Sequence, residues 1–259
     1  MANSVIMDLE GNVAYLTINR PEAMNSLNEN ALAELDKYFY DIAANNEVRV
    51  VVLTGAGLKA FSAGADLKEL ESKSSAAMLS LSERAQALYQ RIEGSGKPVI
   101  AAVNGLSLGA GFELCLAANL RIMADTARVG FPEITLGAIP GYGGTQRLVR
   151  AIGQSSALEM LLCGDLISAS RAYELGLANQ VVPQDELMKK VKVLAQRLAG
   201  FSPLAMRVLL QVVYLGKESP LQTGLALERM GVAALFASND LREGIAAFRE
   251  KRSPSFRGH

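Results

Sequence analysis

The sequence predicts an α/β fold in which a mostly parallel sheet is followed by a helical C-terminal region. Short runs rich in apolar and β-branched residues alternate with helical patterns up to about residue 183, and only helical patterns follow from Gln184 onward. Such alternation is typical of parallel strands whose faces are covered by helices. We therefore predict a core at residues 1–183 and a helical region at 184–259 that packs on the body or on a neighbouring subunit.

Five runs have the composition of strands, and their apolar character predicts burial. They lie at residues 13–19, 48–54, 99–103, 120–124 and 178–183. Helices are predicted by apolar residues at helical spacing and by capping residues. The first follows residues 25–28, with Ser26 or Asn28 as its cap, and the others lie at 82–93, 109–119, 152–162, 168–176, 185–198, 204–214, 219–237 and 240–252.

Composition narrows the possible partners and the compartment. Half of the 259 residues are hydrophobic and the formal net charge is zero, so we expect neither a nucleic-acid partner nor a membrane partner. Cys115 and Cys163 stand in apolar runs without metal-ligand spacing, which predicts free, buried thiols. That usage, with no signal peptide expected at the N-terminus, favours a cytoplasmic location.

Several common active-site types are excluded by what the sequence lacks. The single histidine is His259, the last residue, so a Ser-His-Asp or Cys-His device and a conventional zinc site are not expected. Gly94 to Lys97 lacks the other residues of a phosphate loop, and the glycines at 109 and 111 lack the third glycine of a dinucleotide site. We expect no metal and no cofactor.

Two loops of small residues follow predicted strands and could approach a ligand closely. They are SAGAD at 62–66 and SLGAG at 107–111, the second opening a helix. Backbone N–H groups in such loops can point at one negatively charged oxygen and form an oxyanion hole, in which each donor is worth roughly 3–4 kcal/mol of barrier. Tight packing of the strand-to-helix turns is the alternative, and the loops alone favour it.

Two glutamates stand among apolar neighbours. Glu113 lies inside an otherwise apolar helix, and Glu133 lies between Pro132 and Ile134. Burial raises the pKa of a carboxyl toward neutrality, which general acid–base chemistry requires. A capping or salt-bridged role is the alternative for each, and Glu113 also complements the helix dipole.

Taken together, these motifs resemble the enoyl-CoA hydratase/isomerase (crotonase) family over nearly the whole chain. The matching segments are TINRP at 17–21, NSL at 25–27, AFSAGADL at 60–67, VNG at 103–105, GAGFEL at 109–114, FPEITLG at 131–137, PGYGGTQRL at 140–148, and Glu243, Gly244, Phe248, Lys251 and Arg252 near the end. The resemblance implies a spiral of β-β-α units with a C-terminal helical trimerisation region, in a homotrimer or homohexamer.

The family's site maps onto this sequence residue by residue. The resemblance implies that the N–H groups of Ala65 and Ala110 hold a thioester oxygen, and that Glu113 and Glu133 are catalytic. Ala110 stands where the family more often has glycine, so its methyl group could alter the choice of substrate. The remaining substrate-binding positions that the resemblance implies are Ala63, Gly64, Asp66, Leu67, Gly109, Pro140, Gly141, Phe248 and Lys251.

A pair of glutamates is typical of the family's hydratases, whereas many isomerases keep only one. The resemblance therefore implies a short-chain 2-enoyl-CoA hydratase, a lyase whose coenzyme A belongs to the substrate. In this interpretation Glu113 activates water for attack on Cβ and Glu133 gives a proton to Cα. The alternatives are an enoyl-CoA isomerase, a hydratase of a branched or aromatic acyl-CoA, and a non-catalytic binding protein on the same fold.

Overall fold

The computed structural model describes residues 3–259, which form two sheets and the helices that cover them. The strands in this range are β1 (Val5–Glu10), β2 (Val13–Ile18), β3 (Val50–Gly55), β4 (Ala60–Ser62), β5 (Val99–Val103), β6 (Leu106–Leu108), β7 (Leu120–Ala124), β8 (Arg128–Gly130), β9 (Ile167–Ser168) and β10 (Gln180–Val182). The α-helices are α1 (Glu29–Ala44), α2 (Leu67–Leu70), α3 (Ser75–Glu93), α4 (Ala110–Ala117), α5 (Gly144–Ile152), α6 (Gln154–Cys163), α7 (Ala169–Glu174), α8 (Leu187–Ala199), α9 (Pro203–Lys217), α10 (Leu221–Phe236) and α11 (Asn239–Glu250).

The larger sheet has six strands in the order β1-β2-β3-β5-β7-β10. The five strands from β2 to β10 pair in parallel, and β1 pairs antiparallel with β2. The strands β3 and β5 are almost entirely buried, because helices or strands cover both of their faces. The parallel sheet predicted from alternation is confirmed. The hairpin strand β1 was not predicted, since most of its residues lie at a partly solvated edge.

The smaller sheet has the order β4-β6-β8-β9 and carries the strand ends that position the site. Each of β3, β5 and β7 is followed by a three-residue strand of this second sheet and then by a helix. This succession is the β-β-α unit that the resemblance implied, and the predicted fold class is confirmed. The residue pattern alone missed β4, β6 and β8 because three residues are too few to show strand periodicity.

Two buried asparagines hold the connections between the sheets. The Asn104 side chain donates to the carbonyl oxygens of Gly55 and Gly57 at 2.9 and 2.7 Å, and its oxygen accepts from the Gly55 N–H at 3.2 Å. Asn25 donates to the Ala60 carbonyl oxygen at 2.7 Å. Buried backbone groups need hydrogen-bond partners, and the groups at these turns are not paired within a sheet. The two asparagine side chains supply the partners and so fix the turns around β4.

Helix ends follow the predicted caps in most cases. The Asn28 side chain accepts from the Ala31 N–H at 2.8 Å and begins α1, and Ser168 caps α7 in the same way. Helix α3 begins at Ser75, seven residues before the predicted start, with Ser74 as its cap. The prediction of two buried thiols is right for Cys115 and wrong for Cys163, which is exposed at the end of α6.

The C-terminal helices lie in two settings. Helix α8 packs against β3, β5 and β7, and α9 and α10 pack against each other. Apolar side chains remain exposed on α9 and α10, namely Leu209, Val213, Leu215, Leu221, Leu225, Met230, Val232 and Phe236. The boundary at residue 183 stays a prediction.

No single helix in residues 3–259 is long and apolar enough to cross a membrane, and one pair, residues 184–199 with α9, passes that test only as a unit bent by 103°.

Candidate active site

The two small-residue loops meet at one edge of the smaller sheet. Strands β4 and β6 pair in parallel with Ser62 opposite Ser107, so the loops that follow them leave the sheet side by side. Gly64 has φ +101°, and a methyl group placed on it would lie 2.9 Å from the Leu108 carbonyl oxygen and 3.7 Å from the Ala110 nitrogen. A residue with a side chain would separate the loops at this point, so glycine permits the close approach.

The backbone around Ala65 is held on both sides while its own N–H stays free. The Leu27 N–H donates to the Gly64 oxygen at 2.7 Å, and the Asp66 N–H donates to the Leu27 oxygen at 3.0 Å. Within residues 3–259 the Ala65 N–H donates to no protein acceptor. Such a fixed, unused donor can bind an external oxygen without reorganisation.

Ala110 is the first residue of α4, where helix geometry leaves the N–H groups without intrahelical partners. In the described part of the chain its N–H makes no hydrogen bond to protein, and the residue is 4% exposed. The tight turn is made by Gly109, at φ +47°, so Ala110 itself is not in the left-handed region. Alanine is therefore unstrained at this position, and its backbone N–H stays available.

Glu113 lies one turn further along α4 and is 1% exposed. Its Oε1 accepts from the Tyr142 N–H at 2.8 Å and from the Gly144 N–H at 2.6 Å. Burial raises the pKa of Glu113 from 4.5 to about 7, against the two N–H donors, which lower it. The backbone at 142–144 thus grips this carboxylate and keeps it partly ionised near neutral pH.

Glu133 lies on a short 3-10 helix, Pro132–Leu136, that follows β8. A methyl group placed on Gly109 would lie 2.5 Å from Glu133 Oε1, so this carboxyl packs directly against the turn that precedes Ala110. Its Oε2 is buried and has no hydrogen-bond partner among residues 3–259. Burial raises the pKa of Glu133. An unsatisfied buried oxygen of this kind calls for an external partner.

The charges of Glu133 and Arg147 both act on the Glu113 carboxyl. The charge of Glu133 raises the pKa of Glu113, and the Arg147 guanidinium lowers it. Both carboxyls border the loop that carries Ala110, Glu113 through its helix and Glu133 through its contact with Gly109. The structure therefore brings together four of the residues predicted from sequence, two backbone donors and two acids of raised pKa.

The other predicted substrate-binding positions fall into three groups, one of which, Pro140 and Gly141, lies at a cavity between α3, α5 and α9. Ala63, Gly64, Leu67 and Gly109 lie in or beside the paired loops, and the Asp66 carboxylate there is occupied by Arg20 at 3.0 Å and by the Lys68 N–H. Phe248 and Lys251 lie at the end of α11, which packs on α10. Phe248 is 85% exposed, and within residues 3–259 no hydrogen bond joins α11 to the paired loops. These substrate-binding roles stay predictions.

A cavity of about 970 Å³ lies between α3, α5 and α9, and Pro140 and Gly141 form part of its wall. The two glutamates do not line it. Gln86 on α3 donates to the Gly141 oxygen at 2.8 Å, which fixes this segment between the cavity and Glu113. In the part of the chain that the structure describes, no group of three or more His, Cys, Asp or Glu side chains is placed to hold a metal ion.

The sequence did not reveal the groups that support Glu113 and its helix. The N–H groups of Tyr142 and Gly144, the hydroxyl of Tyr89 and the guanidinium of Arg147 surround Glu113 and α4. Backbone donors carry no sequence signal beyond a glycine-rich turn. The glycine-rich segment at 140–148 was visible in the sequence, but its contact with Glu113 depends on how α4 and α5 pack.

The chain is similar to known proteins over nearly its whole length. A family model described as "Enoyl-CoA hydratase/isomerase" matches residues 8–259. The chain is 42% identical to a 2,3-dehydroadipyl-CoA hydratase of Escherichia coli over 99% of each chain. It is 39% identical to a short-chain-enoyl-CoA hydratase of Clostridium acetobutylicum over 96% of each. An enoyl-CoA hydratase structure from Bacillus anthracis superposes with a TM-score of 0.96 at 39% identity, covering 99% of this chain and 100% of that one.

These matches show that the chain belongs to the enoyl-CoA hydratase/isomerase family, an enzyme family that acts on acyl-CoA thioesters. The family implied by the sequence motifs is confirmed, and so are the fold class and the prediction of an enzyme.

Proposed function

We propose that this chain is a short-chain 2-enoyl-CoA hydratase that adds water across the double bond of a trans-2-enoyl-CoA and gives a 3-hydroxyacyl-CoA. The observation that carries the proposal is the pair of acids, Glu113 and Glu133, next to the loop whose Ala110 N–H is free. Hydration needs one group to take a proton from water and one to give a proton to carbon, and two carboxyl groups of raised pKa provide both.

The thioester oxygen is proposed to accept from the N–H groups of Ala65 and Ala110. Attack on Cβ moves electrons toward this oxygen and gives an enolate, so fixed donors stabilise the charge as it develops. These N–H groups are rigid because β4, β6 and the start of α4 hold them. Each is expected to contribute roughly 3 kcal/mol to lowering the barrier.

Glu113 is assigned as the base and Glu133 as the proton donor. Two effects compete in the free enzyme, since the deeper burial of Glu113 favours its neutral form whereas its two N–H donors favour the carboxylate. Glu133 has a buried oxygen without such donors. When a bound thioester covers Glu133, the two groups are similarly buried, and the donors at 142–144 then leave the negative charge on Glu113. The proton balance belongs to the pair as a unit.

Coenzyme A is part of the substrate in this proposal, and no further cofactor takes part. Phe248 and Lys251 are proposed to reach the thioester bound by a neighbouring subunit, because their own chain leaves them apart from the paired loops. The exposed apolar side chains of α9 and α10 then form the contact of a homotrimer, or of a hexamer of two trimers. Mass measurement in solution tests this, and a monomer would contradict it. A cytoplasmic location stays a prediction.

The proposal is tested by initial rates on a panel of thioesters: crotonyl-CoA, 2-hexenoyl-CoA, an aromatic enoyl-CoA, 2,3-dehydroadipyl-CoA and a 3-enoyl-CoA. We expect crotonyl-CoA to be hydrated fastest, and Glu133→Gln and Glu113→Gln each to lose at least about a hundredfold in kcat, a typical acid–base effect. Glu71→Gln, which removes an exposed carboxyl from the same region, is the matched control and should stay within about twofold.

Two results would contradict the proposal. Near-normal hydration by Glu133→Gln would remove the two-carboxyl mechanism. Faster turnover of the 3-enoyl-CoA than of any 2-enoyl-CoA would assign the chain to isomerisation.

A further inference from the structure

Arg147 on α5 lies beneath the backbone segment that grips Glu113. Its side-chain Nη1 donates to the Tyr142 carbonyl oxygen at 3.1 Å, and its backbone N–H donates to the Gly143 carbonyl oxygen at 2.9 Å. A methyl group placed on Gly143 would overlap Arg147 Nη1, so the guanidinium and the turn are in direct contact. The Tyr142 and Gly144 N–H groups at the same turn are the two donors to Glu113.

A second set of contacts fixes the guanidinium itself. Arg147 Nη2 donates to Glu93 Oε2, at the end of α3, at 2.8 Å, and the two side chains are 14% and 20% exposed. The guanidinium also lies 5.9 Å from the centre of the Tyr89 ring. The Tyr89 hydroxyl, fully buried, donates to the Ala110 carbonyl oxygen at 2.8 Å. A planar, forked cation can hold a carbonyl and a carboxylate at once, which an ammonium does less well.

We propose that Arg147, anchored by Glu93, is a positioning residue for the hydration reaction: it holds the turn at 142–144 in the shape that grips Glu113, and its charge favours the ionised form of that carboxylate. The catalytic part of the inference rests on the proposed function. The electrostatic part rests on the contact of the guanidinium with the turn at 142–144 and on the lowering of the Glu113 pKa by its charge, and it needs no turnover. Nothing in it requires Arg147 to touch the substrate.

Four groups that face Glu113 determine how the charge of Arg147 changes the pKa of this carboxyl. They are Glu133, Arg147, Tyr89 and Tyr142. Burial raises the pKa of both tyrosines, that of Tyr142 to about 12, so the two phenols stay neutral over the working range. Glu133 raises the pKa of Glu113 and Arg147 lowers it. Arg147 is therefore the one cation acting on Glu113 among the residues that the structure describes.

The test uses Arg147→Gln, Arg147→Lys and Glu93→Gln in the full-length enzyme, with kcat/KM measured from pH 5 to pH 9. Arg147→Gln removes the cation, so the acidic limb of the kcat/KM profile should move to higher pH by about 0.5–1 unit. Removing its anionic partner should move that limb the other way, because the guanidinium charge is then less compensated. Arg147→Lys keeps the charge but loses the fork, so its limb should stay in place while kcat falls about tenfold and KM changes little.

A purely structural role would lower the rates without opposite movements of the limb, and that result would overturn the inference.

A second measurement does not depend on turnover. The stability difference caused by Glu113→Gln is followed against pH in the wild-type and in the Arg147→Gln backgrounds, and its midpoint should move upward in the latter. If no enoyl-CoA is hydrated but the midpoint moves, the proposed function fails and the electrostatic role stands. An unmoved midpoint in a folded variant contradicts that role.

Discussion

Replacing the buried Glu113 by glutamine should make the protein more stable at alkaline pH while it abolishes the proposed activity. Burial raises the folded-state pKa from 4.5 to about 7, so folding favours the protonated carboxyl. The stability that this gives at low pH is lost as the pH rises through about 7. A displacement of this size corresponds to about 3 kcal/mol. Glutamine keeps an oxygen for the Tyr142 and Gly144 N–H groups and carries no charge.

The assay is thermal or urea unfolding of wild type and Glu113→Gln at pH 5 and at pH 8.5. At pH 8.5 we expect the variant to be more stable by about 1.5–3 kcal/mol, or roughly 3–10 °C in Tm for a chain of this size. At pH 5 the difference should fall to below about 1 kcal/mol, because the folded carboxyl is then protonated and only the unfolded carboxyl is partly ionised. Glu71→Gln, at an exposed position, should change neither value by more than about 0.5 kcal/mol. An equal gain at both pH values, or none at pH 8.5, would refute the assignment of a buried, pH-dependent charge cost.

Two further predictions concern the geometry and the titration of the site. Gly109→Ala should lose at least about a hundredfold in kcat, because its methyl group would lie 2.5 Å from Glu133 Oε1; Gly11→Ala also has positive φ but no atom within 4 Å, so steady-state assays should find it within about twofold of wild type. For the wild type, kcat/KM should fall about tenfold per pH unit below pH 7, because protonation removes the base Glu113; a rate that is flat from pH 5 to pH 7 would contradict this role.

Five of the six strands of the larger sheet and most helices could be predicted from residue patterns, whereas β1 and the smaller sheet could not. Runs such as residues 99–103 are long and apolar enough to indicate a buried strand, and Asn28 and Ser168 indicate helix starts through their caps. The three-residue strands β4, β6 and β8 exist because their neighbours pair with them. Pairing of that kind depends on the tertiary fold, which no local pattern encodes.

The same distinction applies to the site. Glu113 and Glu133 stand out in the sequence as acids among apolar residues, and the small-residue loops stand out through Gly64 and Gly109. The two loops lie side by side because β4 and β6 pair in parallel. The bridge between Leu27 and Ala65 holds the first loop and leaves the Ala65 N–H without a protein acceptor. In the sequence Arg147 is only one residue of a glycine-rich motif. Its contact with the turn that holds Glu113 depends on the packing of α5.

The N–H groups of Ala65 and Ala110 are proposed to hold the thioester oxygen next to the two acids. A crystal structure with butyryl-CoA, a saturated thioester that cannot be hydrated, shows directly where this oxygen binds. We predict its carbonyl oxygen about 2.7–3.1 Å from both nitrogens, with Cα and Cβ facing Glu133 and Glu113. A thioester oxygen bound elsewhere, with either N–H left unused, would contradict the account.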